Sequence, residues 1–352
     1  MVDHPAKRMR VAAAIATVAA ALGAYAASNM PIPGSAGTGY TGYATDAFPG
    51  FDSDLWKVEQ KKPSWWFDAK SDTAAGQWKV ANGYFEAGDW NGARKACEAL
   101  VRGWPASVEA ALAQEKIAGL YATVLDDIWE AFDEYDYLLK FYPGLCKYDK
   151  VVAVQYRIVE AMYEEQKAKG FWSFSWTSPD TIRRKYEKVV RYAPGAEHVP
   201  DAMLRIADLR IESGDLAEAV LVYEEIRNKF AKSPQAEKAL FLEAGTLMKL
   251  VAKNKNNRSR RRNAANYMKL AVSKHPDHPG AAQMKAWRDE LEAGLEKEAW
   301  EETLFYDTRQ RSRNAAISSY ERFIDLHPGS PRVKEARERI EAIKNGAEPL
   351  RK

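Results

Sequence analysis

The stretch from Pro200 to Pro234, PDAMLRIADLRIESGDLAEAVLVYEEIRNKFAKSP, decides the fold. At helical spacing it gives two amphipathic helices of about thirteen residues each. The first carries Met203, Ile206, Ala207 and Ile211 on one face, and the second Ala219, Tyr223 and Ile226. Gly214-Asp215 separates them, because glycine tolerates the left-handed conformation that ends a helix and aspartate caps the next. A helix pair with one apolar face cannot bury that face alone, so it needs stacked neighbours.

Those neighbours recur in a frame of about 34 residues. Ala74 to Pro105 repeats Val80, Ala81, Tyr84, Gly88-Asp89, Ala93, Cys97 and Pro105, and Leu112 to Pro143 repeats Ala118, Gly119, Ala131, Tyr135, Leu138 and Pro143. Tyr186, Val189 and Pro194 close a third unit, Tyr267 with His275-Pro276 a fifth shifted by one residue, and Trp300, Ala316, Tyr320, Phe323 and Pro328 mark a sixth. Small residues let helices approach closely, and proline stops the second helix. Glu338 to Ile343 lies on a last helix that caps the final apolar face. The expected architecture is an all-α, tetratricopeptide-like solenoid over residues 71–346, with about six helix pairs and a C-terminal capping helix.

Ahead of it, residues 1–26 read as a signal peptide: Lys7, Arg8 and Arg10, then the apolar run Val11 to Leu22, then Gly23-Ala24-Tyr25-Ala26 before a cleavage point. A retained N-terminal anchor is the alternative. Residues 27–70 read as a flexible leader, rich in Gly, Pro, Ser and Thr, with the aromatic end Trp65-Trp66-Phe67. No cysteine follows the apolar run to take a lipid.

Composition excludes some functions. The formal charge is +3, of which the first ten residues hold +2, so nucleic acid is not expected as a partner. Cys97 and Cys146 fall at or near buried helix positions and read as thiols rather than a disulfide. The histidines lack metal-ligand spacing, so neither metal nor cofactor is expected. Adjacent acids such as Asp126-Asp127 and Glu224-Glu225 point to different parts of a helix surface, and no nucleophile elbow or phosphate loop occurs. The chain therefore reads as non-enzymatic.

The loop-to-helix junctions RYAPGAEHVPDAM (residues 191–203), NKFAKSPQAEKAL (228–240) and DLHPGSPRVKEAR (325–337) share one form: an aromatic or histidine, a short turn, then a charged helix start. On a signal-bearing helical-repeat chain this resembles BamD, the outer-membrane β-barrel assembly lipoprotein, and its relatives, over about residues 70–343. The resemblance implies a periplasmic scaffold, associated with the outer membrane, that helps assemble or insert β-barrel proteins through contacts with other envelope proteins. Unfolded outer-membrane-protein peptides and a membrane surface are further implied partners. The lipid-accepting cysteine of that family is missing. A periplasmic repeat adaptor coordinating cell-wall synthesis or envelope constriction is the alternative, and a wall-lytic accessory a third reading.

Candidate contact residues follow from the frame. Trp78, Asn82, Phe85, Lys116 and Leu120 occupy groove positions of the first two units, where an amide and a lysine beside rings suit an extended peptide. Phe171, Trp172, Phe174 and Trp176 sit in a Ser-rich insertion, either as a packed plug or as a docking loop. Lys249, Lys253, Lys255, Arg258, Arg260, Arg261 and Arg262 form a basic stretch with no acid, either solvated or facing an acidic partner. By the family resemblance, Trp300, Phe305 and Arg309 lie near the partner contact, although Trp300 also suits a core position.

Overall fold

The computed structural model describes residues 59–64, 67–169, 178–309, 312–348 and 350. Among them are thirteen α-helices and no strand: α1 Ala74–Glu86, α2 Trp90–Gly103, α3 Val108–Thr123, α4 Ile128–Phe141, α5 Tyr148–Lys169, α6 Pro179–Tyr192, α7 Val199–Glu212, α8 Leu216–Lys229, α9 Pro234–Lys253, α10 Arg258–Lys274, α11 Ala281–Arg309, α12 Arg313–Leu326 and α13 Val333–Lys344. Taken in order, these are six pairs and a final single helix. The chain divides into two compact units, residues 1–218 and 219–352.

In the first unit, each of α1 to α7 packs against its neighbours in sequence, and α1 also touches α3. In the second, α9 to α13 do the same, and α9 touches α11. First helices of successive pairs thus meet, which is how stacked pairs share one core.

Three kinds of local chemistry set this pattern. In three of the pairs the inner turn holds one residue with positive φ followed by a helix cap. Gly88 (φ 70°) and Gly214 (φ 86°) supply it in units one and four. Asp126 (φ 54°) supplies it in unit two, and Asp127 caps α4 by accepting from the Glu130 N–H. Asp89 and Asp215 each donate a backbone bond to the carbonyl five residues earlier, and Asp127 to the one six residues earlier, at 2.8–3.0 Å. The adjacent acids Asp126-Asp127 are therefore a variant of the Gly-Asp turn.

In five of the six pairs the second helix ends at a residue before proline, whereas α8 ends at Lys229 and runs into Phe230-Ala231. Trp104, Tyr142, Ala193, His275 and His327 all have φ between −141° and −130° and ψ between 39° and 72°. A following proline ring crowds the α conformation, so the chain leaves the helix there.

Eight residues before each of those prolines is a core position. It holds Cys97, Tyr135, Tyr186, Met268 and Tyr320, each at most 1% exposed. This corrects the fifth unit, where the frame placed Tyr267. Met268 fills the core position, and Tyr267 uses its hydroxyl to bond the Leu240 carbonyl and Glu243 at 3.0 and 2.9 Å. The frame also started the second unit too late, since Ser107 caps α3 through the Ala110 N–H.

The small-residue sites Ala81, Ala93, Ala118, Ala131, Ala207 and Ala219 are fully buried. The last helix closes the second unit, with Ala336, Ile340 and Ile343 packed among Trp300, Tyr320 and Phe323.

Candidate protein-binding face

The first helix of the first pair carries the candidate groove. Thr73 caps α1 by accepting from the Gly76 N–H. The helix buries Gln77 and Ala81, and Gln77 ties it to α2 through the Ala96 carbonyl at 3.0 Å. Trp78, Asn82 and Phe85 remain half-buried at i, i+4 and i+7, a spacing that puts them on one face. Asn82 makes no side-chain hydrogen bond among the described residues.

From α3, exposed Lys116 brings its Nζ to 5.8 Å from the Phe85 ring centroid. Trp90, 41% exposed at the start of α2, lies 6.5 Å from Phe85. Arg94 of α2 stands 5.8 Å over the Tyr121 ring of α3, and burial raises the Tyr121 pKa while Arg94 opposes the rise. Leu120 does not line this face. It is 5% exposed and belongs to the core, because its turn of α3 faces inward. Trp90, Arg94 and Tyr121 were missed by the groove frame, which counted only first-helix positions. The signal available was the Gly88-Asp89 turn, which places Trp90 at the mouth of the next helix.

The second unit separates Trp300 from its two companions. Trp300 is 6% exposed, with ring centroids 4.9 Å from Phe323 and 5.8 Å from Tyr320, and Arg332 lies over it at 5.3 Å. It is core and cannot touch a partner directly. Phe305 is half exposed and Arg309 is exposed. Phe171, Trp172, Phe174 and Trp176, with residues 1–58, lie outside the described residues.

The basic stretch is partly neutralised from within the chain. Arg258 bonds Glu302 at 2.9 Å and approaches Glu298 at 3.5 Å, while Arg261 holds Glu298 in a two-point bond at 2.5 and 2.6 Å. The hydrogen bonds from Arg261 and Arg258 lower the pKa values of Glu298 and Glu302 against a weak burial effect. Arg260 donates to the Leu250 carbonyl. Lys249, Lys253, Lys255 and Arg262 are exposed. The stretch itself holds no acid, and α11 supplies Glu298 and Glu302 to it from within the chain.

The perturbed groups elsewhere serve structure. Lys185 is held 4.4 Å over the Phe132 ring beside Asp133, and burial lowers its pKa against that pairing. Glu187 is wholly buried between Arg183 and Arg210, where desolvation raises its pKa despite both arginines. Burial lowers the His198 pKa, and its ring stacks on Tyr156 at 4.5 Å. Cys97 and Cys146 are thiols, both pushed up to about 12 mainly by burial. Among the described residues no group of His, Cys, Asp and Glu has metal-binding geometry, and no helix is long and apolar enough to cross a membrane.

A tetratricopeptide repeat family model matches residues 201–233. No curated protein matches the chain. Among solved structures, a tetratricopeptide repeat protein from Parabacteroides merdae ATCC 43184 aligns at 13% identity over 78% of this chain and 100% of its own, with a TM-score of 0.29. Six helix pairs, the recurring turns and proline stops, and the matched repeat together make this a tetratricopeptide-like protein, of an architecture that typically scaffolds protein–protein contacts.

Proposed function

We propose that the chain is a non-enzymatic scaffold of the bacterial envelope. In this reading it resembles BamD and helps assemble or insert outer-membrane β-barrel proteins through protein–protein contacts. The observation that carries the binding role is the face built by Trp78, Asn82, Phe85, Trp90 and Lys116, with half-buried or exposed rings, an amide without a partner among the described residues and an exposed ammonium within one patch. Rings supply apolar area, Asn82 can bond a peptide backbone, and Lys116 suits a terminal carboxylate. The basic N-terminus followed by an apolar run supports export to the periplasm, and the repeat-junction form supports the BamD-like assignment. The exposed pair Phe305 and Arg309 is assigned to the barrel-forming partner.

The test is affinity purification from detergent-solubilised envelopes of the native host, with mass spectrometry of what co-purifies. A large β-barrel protein recovered at near-equal amount supports the reading. Recovery of wall-synthesis or constriction proteins without a barrel overturns it and leaves the repeat adaptor. Phe85→Ala with Lys116→Ala is expected to reduce recovery while leaving the melting temperature almost unchanged, since both side chains are at least partly solvated.

A further inference from the structure

Residues 59–64 lie against the second helices of the first two pairs, and Lys61 is their fixed point. Its ammonium meets Glu98 Oε1 of α2 at 2.7 Å and both oxygens of Glu134 of α4, at 3.0 and 2.7 Å. It also stands 5.2 Å from the Tyr137 ring centroid. The backbone is read as well as the side chain. The Lys61 N–H donates to the Tyr137 hydroxyl at 3.1 Å, and Arg102 donates to the Lys62 carbonyl at 2.8 Å. Arg102 then lies 4.8 Å over the Phe67 ring.

Each acid has a second partner that orients it. Glu98 accepts from Arg102 Nε at 3.1 Å, and Glu134 accepts from Gln114 Nε2 at 2.5 Å. The Glu98 and Glu134 side chains are only 5% and 11% exposed. With Lys61 seated, two carboxylates face two cations. Without it, two carboxylates close enough to bond one ammonium keep a single arginine, on Glu98, and this like-charge juxtaposition disfavours an empty site. Burial disfavours the charged ammonium, yet Glu134 and Glu98 outweigh it and raise the Lys61 pKa.

We propose that α2, α3 and α4 form a recognition site for an extended, lysine-bearing segment, and that residues 59–64 fill it in cis as a strap. The strap is held on the second helices α2 and α4. After the strap the chain crosses to α1, where the Lys70 N–H bonds Gln77 Oε1 at 2.8 Å. The inference does not depend on which envelope partner the repeats bind.

Amine acetylation of the full chain, read residue by residue by mass spectrometry, tests it. Lys62 is exposed and serves as the neighbouring reference. Lys61 is expected to react at least about ten-fold more slowly than Lys62, and Glu134→Gln and Glu98→Gln are each expected to abolish most of that difference. Lys185, 11% exposed on α6, reports the fold: local release exposes Lys61 alone, whereas unfolding exposes both. Equal reactivity of Lys61 and Lys62 in the unaltered chain overturns the proposal. So does a Lys61 that stays protected in both variants while Lys185 is also protected. Protection that fades on dilution would show that a second copy supplies the lysine, and the strap in cis would be wrong.

Discussion

Arg339 of α13 grips Asp307 of α11 at two points, Nε to Oδ2 at 2.7 Å and Nη2 to Oδ1 at 3.0 Å. Asp307 is 3% exposed and also accepts from the Tyr320 hydroxyl of α12 at 2.9 Å. One carboxylate thus joins three helices. Tyr186, at the core position equivalent to Tyr320, likewise bonds an acid of its partner helix, Glu160, at 2.5 Å.

Arg339→Ala should destabilise the second unit by about 3 kcal/mol, because it leaves a desolvated aspartate without its cation. Urea unfolding followed by circular dichroism measures this. A loss below about 1 kcal/mol would mean that the capping helix is held by its apolar face alone.

The same bridge predicts a dependence on acid. Burial alone would raise the Asp307 pKa, but the Arg339 and Tyr320 hydrogen bonds outweigh it and hold the group below its ordinary value. A depressed folded pKa means that the unfolded chain binds protons more readily. The contribution is therefore complete above the ordinary aspartate pKa of about 4 and fades as pH falls toward the lower folded value. Melting temperatures taken from pH 7 to pH 3 should decline less steeply in Asp307→Asn than in the unaltered chain.

Asp126 occupies a backbone conformation that costs an ordinary L-residue about 1 kcal/mol. Asp126→Gly is expected to raise stability by up to about that amount, offset in part by the greater freedom of glycine when unfolded. A clear loss of stability would show that the Asp126 side chain contributes more than its backbone strain costs.

Trp300 and Phe305 should behave oppositely when truncated. Trp300→Ala removes a ring packed on Tyr320 and Phe323 and should cost about 3–5 kcal/mol. Phe305→Ala removes a half-exposed ring and should leave stability nearly unchanged while reducing recovery of the proposed barrel partner. Full partner recovery with Phe305→Ala removes that surface from consideration.

Both cysteines should resist alkylation in the native chain. A thiol with a pKa of about 12 is only about 0.01% thiolate at pH 8. Iodoacetamide at pH 8 should therefore label Cys97 and Cys146 only after denaturation, and rapid native labelling of Cys97 would contradict its burial.

Features carried by neighbours in sequence were legible without coordinates. Helical period, the Gly88-Asp89 and Gly214-Asp215 turns and the prolines depend on local dihedral preferences, and they located the pairs. Asp126-Asp127 escaped because positive φ is uncommon outside glycine, so an aspartate does not announce it in sequence. Met268 escaped because the frame followed residue type, whereas the core position follows distance from proline. Partnerships set by stacking were invisible: Lys61 finds Glu98 and Glu134 across 37 and 73 residues, and Arg261 finds Glu298 across 37. The groove was legible in part. Phe85 and Lys116 do meet, but Leu120 turned inward and Trp90 entered from the second helix.

The proline stops bear on how such a chain is made. Each stop is written into the covalent backbone, so a second helix can end in register before anything is stacked on its far side. Within each described unit, the contacts join a helix to those next or next but one to it in the chain. A polypeptide emerging amino terminus first, from a ribosome or a pore, can therefore complete one pair at a time. Each finished pair becomes the template for the next, and synthesis order and assembly order coincide.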